Sequence, residues 1–382
     1  MNSKIQYRKL LPVLMAYIIM GFIDIVGVST GYIKKDFGLQ DDIAQLISLM
    51  TFIWFFILSV PVGLFQDKYG KRLTLNIGMA MTGLGMLIPF IGYSFPIMLI
   101  AFIFLGIGNT IVQVSANPLL QDVSPRDRFS SFMSLTQFIK AIISLLGPVL
   151  ATLMATLFGE WKLIFAIYAI TSFIAVTWLY LTRIDEHKPD REPATFKSCF
   201  SLMRNPLVAL MVFGIFFTVG ADVGMNTNIQ NYLISRFNIP IEKASLGISL
   251  YFAALMISRF SGAIMLTWIK PRPFLIGTVL LALVSLFLMI IAPSAIIGNV
   301  AIFLVGLGSG NLFPLIFSIT ADKMPDRVNE ISGLMIMAIA GGAFIPPIMG
   351  AVSQNFGVTP SLFVLVACMA YITVISMSKK TR

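Results

Sequence analysis

Four charged residues stand inside stretches that are otherwise apolar. Asp24 lies in Gly21-Phe22-Ile23-Asp24-Ile25-Val26-Gly27, and Lys140 follows Thr136-Gln137-Phe138-Ile139. Asp222 and Arg259 sit in later apolar runs. A charge at the centre of a membrane helix costs about 2.5–3.5 kcal/mol on insertion scales, so each needs a partner or a water-filled cavity. Two acids and two bases can offset one another, and a cavity lined by all four need not be strongly charged. Arg259, on the inner half of its run, reads as structural. Amides supply a second chemistry. Asn109, Gln113 and Asn117 recur every four residues and so stack along one helix face. Asp222 is followed by Asn226, Asn228, Gln230 and Asn231, a pattern that suits a solvated cavity wall. Amide side chains both donate and accept, which matches the hydroxyls of a neutral sugar.

The elements that must position these groups are membrane helices. Of 382 residues, 57% are hydrophobic and 12% charged, against about 25% charged in a soluble domain. So much apolar surface needs a bilayer as solvent. Apolar runs of membrane-spanning length recur near 9–32, 44–66, 73–93, 96–120, 129–157, 161–182, 206–234, 245–268, 273–293, 296–320, 330–354 and 359–378. Irregular backbone is not tolerated against lipid, so each run is expected to be helical. The expected fold is an all-α polytopic membrane protein of twelve transmembrane helices. The N-terminus lacks a short apolar core with a small-residue cleavage site, so the first run is expected to remain as a span.

The longest polar stretch, Thr182 to Asn205, falls in the middle and separates six spans from six. It divides the chain into an N-terminal bundle (1–182), a cytoplasmic linker (183–205) and a C-terminal bundle (206–382). The halves resemble each other at a spacing close to 200 residues. Gly106 and Gly108 match Gly306 and Gly308, Asp122 and Pro125 match Asp322 and Pro325, and Tyr32 and Phe37 match Tyr232 and Phe237. Asp24 has a near counterpart in Asp222. Two pseudo-symmetric six-helix bundles place a substrate site at their interface near the midplane. Asn311, which follows the repeated Gly306-x-Gly308, is a further candidate for lining it.

Net charge is +10, which in a soluble protein would suggest nucleic acid. Here it follows from topology. With both termini inside, twenty Lys and Arg fall in cytoplasmic segments and five (Lys34, Lys35, Lys162, Arg236 and Lys243) in outer loops, a positive-inside pattern. The expected location is a bacterial inner membrane with both termini cytoplasmic. The lipid bilayer is then the surrounding partner, with no nucleic acid partner and function as a monomer. Cys199 and Cys368 are far apart and imply no disulfide framework. The one histidine, His187, lies in the polar linker. No metal site and no cofactor are expected beyond a coupling ion. A membrane enzyme would need a nucleophile with its base, a metal cluster or a phosphate loop, and no Gly-x-x-x-x-Gly-Lys-Ser/Thr or His-Glu-x-x-His string occurs.

Between the second and third spans stands Gly63-Leu64-Phe65-Gln66-Asp67-Lys68-Tyr69-Gly70-Lys71-Arg72. It resembles the signature loop of the major facilitator superfamily, Gly-x-x-x-Asp-Arg/Lys-x-Gly-Arg/Lys-Arg/Lys, at every defined position. The resemblance implies the major facilitator fold and a gating role for Gly63, Asp67, Lys68, Gly70, Lys71 and Arg72. Asp67 would latch the cytoplasmic gate against the N-terminus of the eleventh span near Asn329, where a helix dipole favours a carboxylate. The matching loop of the second half, Gly262 to Arg272, has no aspartate and keeps only Lys270 and Arg272, so the two gates are expected to be unequal.

Asp24, Ala116-Asn117-Pro118 and Gln137 look like the fucose–galactose–glucose symporter branch of that superfamily. By that resemblance Asp24 is the protonatable or ion-sensing acid and Gln137 contacts sugar. Asn109, Gln113, Asn117, Asp222, Asn226, Asn228 and Asn311 complete the candidate substrate set. Proton-coupled fucose carriers have a glutamate where this chain has Gln113 and an asparagine where it has Lys140, so one expected coupling acid is missing. Lys140 could pair with Asp24, meet the carboxylate of a uronic or sialic acid, or lose its proton to apolar surroundings. Proton and sodium both stay open as coupling ion. The expected function is cation-coupled uptake of a monosaccharide by alternating access, with the site between the first, fourth, fifth, seventh, eighth and tenth spans. A proton-coupled efflux antiporter is the alternative, although only Gly147-Pro148 of the antiporters' glycine-rich run is present in the fifth span.

Overall fold

A computed structural model describes residues 7–124, 129–186, 195–266, 268–324 and 327–378. Several residues of the sequence argument lie outside this set: Arg126 and Arg128, Pro125 and Pro325, His187, Lys188 and Arg191 of the linker, and Lys4, Lys379, Lys380 and Arg382 at the termini. Among the described residues, twelve helices are long and apolar enough to cross a bilayer. They are α1 (Tyr7–Phe37), α2 (Asp41–Tyr69), α3 (Lys71–Ile91), α4 (Phe95–Val123), α5 (Leu135–Phe158), α6 (Leu163–Leu181), α7 (Pro206–Phe237), α8 (Ile241–Gly262), α9 (Pro271–Ile291), α10 (Ala295–Lys323), α11 (Glu330–Phe356) and α12 (Val358–Met377). The chain is a multi-pass membrane protein. Large apolar side chains such as Ile91, Ile170, Val284, Phe363 and Val374 stay exposed, as a lipid-facing surface requires.

The helices reach beyond the apolar runs because polar residues finish their last turns. α1 continues through Lys34 and Lys35 and stops at Gly38, whose φ of 60° closes the helix. In the first six spans α3 packs on α4 and α6, α2 on α4, and α1 on α5 and α6. The same pairs recur in the second six: α9 with α10 and α12, α8 with α10, and α7 with α11 and α12. Between the two sets α5 meets α8 and α2 meets α11, two contacts that the repeat exchanges, and α1 meets α7 at the centre.

Among the described residues four spans are interrupted, the first turn of α2 being set off at Gln45 between Ala44 and Leu46. α1 tightens to a 3-10 turn at Phe22–Asp24. α10 breaks between Ser309 and Leu312, and α11 between Ala338 and Gly341. α4, where Pro118 could have freed backbone groups, runs as one helix from Phe95 to Val123. The interruptions of α1, α2 and α11 fall instead on helices that contact the other bundle, while that of α10 falls against α8. Even-numbered crossing puts both termini on one face, called here the terminal face; the opposite one is the far face.

Candidate functional site

The interruption of α1 is held from both sides. Asn109 of α4 donates through Nδ2 to the carbonyls of Ile19 and Met20 at 3.3 and 3.1 Å, groups a tightened turn leaves without their normal helical donors. From the other bundle, Asn226 of α7 donates through Nδ2 to the carbonyl of Asp24 at 3.0 Å. The Asp24 carboxylate accepts from the Ser144 hydroxyl of α5. Ser144 Oγ also lies 3.0 Å from the Lys140 carbonyl. Its hydroxyl therefore has two acceptors within reach, the Asp24 carboxylate and the Lys140 carbonyl.

Lys140 and Gln137 stand one turn apart on α5 and are half-buried. Neither makes a side-chain hydrogen bond or ion pair among the described residues. Lys140 is thus not paired with Asp24 in this structure, although Asp24, Asp222 and Arg259 all lie close enough to act on it electrostatically. Tyr251 of α8 donates to Asp222 at 2.6 Å, and Arg259 donates to the Gly310 carbonyl at the α10 break at 3.2 Å. The four charges flagged in the sequence therefore form one neutral group spanning both bundles.

The amide stripe of α4 faces α1 over most of its length. Gln113 donates to Asn109 at 3.0 Å, and Asn117 accepts from Tyr17 at 2.7 Å. Asn109 and Asn117 therefore grip α1 on either side of Gln113. Asn311 donates to the carbonyl and hydroxyl of Ser258 at 2.6 and 2.9 Å, fixing α10 on α8. Asn228 donates to Gly224 and accepts from Gln45 of α2 at 3.3 Å. Of the residues proposed from sequence, Asp24, Gln137, Lys140 and Asp222 come together at the centre, while Asn226 and Asn228 join the bundles nearer the far face.

At the terminal face the signature loop works within its own bundle. Gly70 has a φ of 100°, a left-handed conformation that favours glycine, and the Glu186 carboxylate lies against it. Glu186 accepts from the backbone N–H groups of Lys71 and Arg72. Lys71 Nζ pairs with Asp122 of α4 at 2.7 Å, and Arg72 donates to the Tyr180 carbonyl at 2.8 Å. Lys68 lies over the Tyr69 ring, and Gly63 has open space beside it. Asp67 makes no hydrogen bond or ion pair among the described residues, and the side chain of Asn329, its candidate partner at the start of α11, lies outside them.

The far face is closed. Asp41, in the first turn of α2, accepts from Asn231 of α7 at 3.0 Å. It also takes Ser353 of α11 and the ammonium of Lys34. Lys34 reaches Asn231 as well, at 2.9 Å, and the Asp41 backbone N–H donates to Gln354 at 3.2 Å. Below this cluster Gly27 and Gly31 of α1 lie so close to Asn226 and Gln230 that a Cβ at either would collide. The inner half of α1, by contrast, packs within its own bundle. Beside the cluster, burial and the Asp36 carboxylate hold the Tyr93 hydroxyl well above the ordinary phenol range.

Sequence reasoning missed Lys34, Asp41, Asn231 and Ser353 as a gate, and Ser144 and Tyr251 as partners of the central acids. Asp41 had one signal, an acid opening a helix. The rest are scattered singly through five spans, and nothing in their local patterns unites them.

The Major Facilitator Superfamily model matches residues 12–345. The chain is 24% identical over 356 residues to a glucose/galactose transporter of Brucella abortus, covering 89% of this chain and 86% of that protein. It is 27% identical over 369 residues to a putative glucose/galactose transporter of Helicobacter pylori, covering 90% and 89%. Among solved structures, the Escherichia coli fucose:proton symporter FucP superposes with a TM-score of 0.70 at 17% identity, over 96% of this chain and 98% of that one.

Proposed function

The chain belongs to the major facilitator superfamily, and from that premise we propose that it takes up a neutral monosaccharide together with a proton or sodium ion by alternating access. One observation carries the reading. Asp24 sits at the interruption of α1 where the bundles meet, held by Ser144 and Asn226 and close enough to act on Lys140, which makes no side-chain hydrogen bond or ion pair among the described residues. The sugar class is supported by the names of the Brucella and Helicobacter relatives. With the termini in the cytoplasm of a bacterial inner membrane, as the charge count favours, the far face is the outside.

In this mechanism Asp24 binds the ion and Ser144 reports the change. An ionised carboxylate holds the Ser144 hydroxyl; a protonated one releases it to the Lys140 carbonyl one turn away. Lys140, poised among Asp24, Asp222 and Arg259, responds to the altered charge. Gln137 supplies donors and an acceptor to sugar hydroxyls. Because Asn226 ties the Asp24 carbonyl to α7, a change at the break reaches the contact that closes the far face. Ion and sugar together shift the two-state equilibrium only by their differential affinity for its two ends.

The unpaired Lys140 also favours a second reading, symport of an acidic sugar whose carboxylate it would meet. Proteoliposome uptake separates the readings, using neutral and acidic monosaccharides with proton and sodium gradients imposed separately. Accumulation of glucose or galactose under one gradient is expected. Accumulation of a uronic or sialic acid alone would favour the second reading, and gradient-driven export of non-sugar compounds would favour efflux antiport.

A further inference from the structure

A cavity of about 490 Å³ opens on the far face between α1, α2, α7 and the start of α8. Its rim includes Gly38 and Ile239, and its depths reach Thr30 and Thr227. Eight helical residues from Gly38 to Thr30 correspond to about 12 Å of depth. The close contacts of Gly31 with Gln230 and of Gly27 with Asn226 separate its floor from Asp24. It therefore lies on the path to the central site, on the outer side of the closed gate.

The walls are built for a particular chemistry. Gln45 Oε1 and Gln230 Oε1 are buried and accept no hydrogen bond among the described residues, which is costly unless a donor arrives. Lys34, Asp41 and Asn231 expose further polar atoms beside them. The charges are two cations, Lys34 and Lys35, and two anions, Asp41 and Glu242, so the cavity offers no net attraction to an ion. Ile234, Ile239, Pro240 and Ile241 make an apolar side. A pyranose has the matching surface: hydroxyls that donate and accept around its edge, and a face of C–H groups. The volume lies within the roughly 300–1,000 Å³ usual for small-molecule sites.

We propose that this cavity is a second, outer site for a neutral monosaccharide, occupied while the gate beneath it is closed. The inference rests on the sugar-uptake reading above. Gln45 and Gln230 accept from sugar hydroxyls, and the isoleucine side covers the C–H face. When the bundles part at the far face, the sugar is already about two turns from Asp24 along α1.

Both native cysteines are buried, so Ser235→Cys at the exposed mouth gives a thiol that a membrane-impermeant maleimide can report. Labelling rates and sugar uptake are measured on the same full-length proteoliposomes, with D-glucose, D-galactose or glycine betaine at equal osmolarity. The expected result is at least threefold slower labelling with a sugar and no change with betaine. That protection persists when Gln137→Ala or Asp24→Asn disables the central site. It disappears in Gln45→Leu, and also in Ile234→Trp, which fills the cavity without removing a hydrogen bond. Uptake without protection overturns the outer site and leaves the transport reading standing. Protection lost in the central variants but kept in Ile234→Trp also overturns it, since the effect then comes from the central site. Protection without uptake upholds the outer site against the transport reading, and absence of both removes both.

Discussion

The two ends of the bundle interface use their charged groups in opposite ways. At the far face, Asp41, Lys34, Asn231 and Ser353 bond across from one bundle to the other. At the terminal face, the bonds of Lys71, Arg72 and Glu186 among the described residues run within the N-terminal bundle and its linker, and Asp67 makes no hydrogen bond or ion pair among them. One end is fastened across the bundles, and at the other no such bond occurs among the described residues, an arrangement that fits the alternating access of a major facilitator. The comparison also separates two roles for polar residues near a membrane surface. Those at the terminal face bond within a bundle, whereas those at the far face bond between bundles.

The largest effect should come from making the far face unable to close. Gly27→Val places atoms where Asn226 stands, and overpacking of this kind costs about 1–3 kcal/mol or more. The closed state should fall by roughly 5- to 150-fold, seen as faster far-face modification of a thiol at Thr30→Cys and loss of uptake. Asp41→Ala removes the acceptor shared by Asn231, Ser353 and Lys34. About 1–3 kcal/mol for stranded polar partners predicts roughly tenfold greater accessibility at the same position. Unchanged labelling would mean that the cluster decorates the gate without holding it.

Lys71→Gln should act differently, through stability. Breaking its pair with the largely buried Asp122 should lower Tm by about 2–4 °C per kcal/mol lost, with less than about a twofold change at Thr30→Cys. A large change there would erase the distinction between bracing and gating. Asp67→Asn should have the smallest effect on Tm, because its carboxylate makes no hydrogen bond or ion pair among the described residues. Thermal melting of the purified variant checks this directly.

Much of the fold was legible because the bilayer imposes simple rules. Twelve apolar runs, a central polar break and a recurring spacing reported spans and repeat without knowledge of contacts. Asp24 and Lys140 were legible for the same reason, as charges where charges are costly. Asn109, Asn117 and Asn311 show the limit: a four-residue spacing put the first two on one helix face and the repeated glycines marked the third, but neither signal could tell a cavity wall from a seam between helices. The far-face gate was not legible at all. Lys34 and Asp41 look like ordinary loop-edge charges, and only the closed bundle arrangement brings them to residues some 190 and 310 positions away. The turn at Phe22–Asp24 was hidden likewise, since it depends on amides from α4 and α7.

The central claim is that the Asp24 carboxylate couples ion movement to sugar movement. Gradient-driven accumulation and sugar-for-sugar exchange should be measured side by side for the wild type and Asp24→Asn, in proteoliposomes with matched protein content. The account predicts that the variant keeps exchange, because bundle rocking and sugar contacts remain, but loses accumulation above equilibrium. Undiminished accumulation by Asp24→Asn would contradict it.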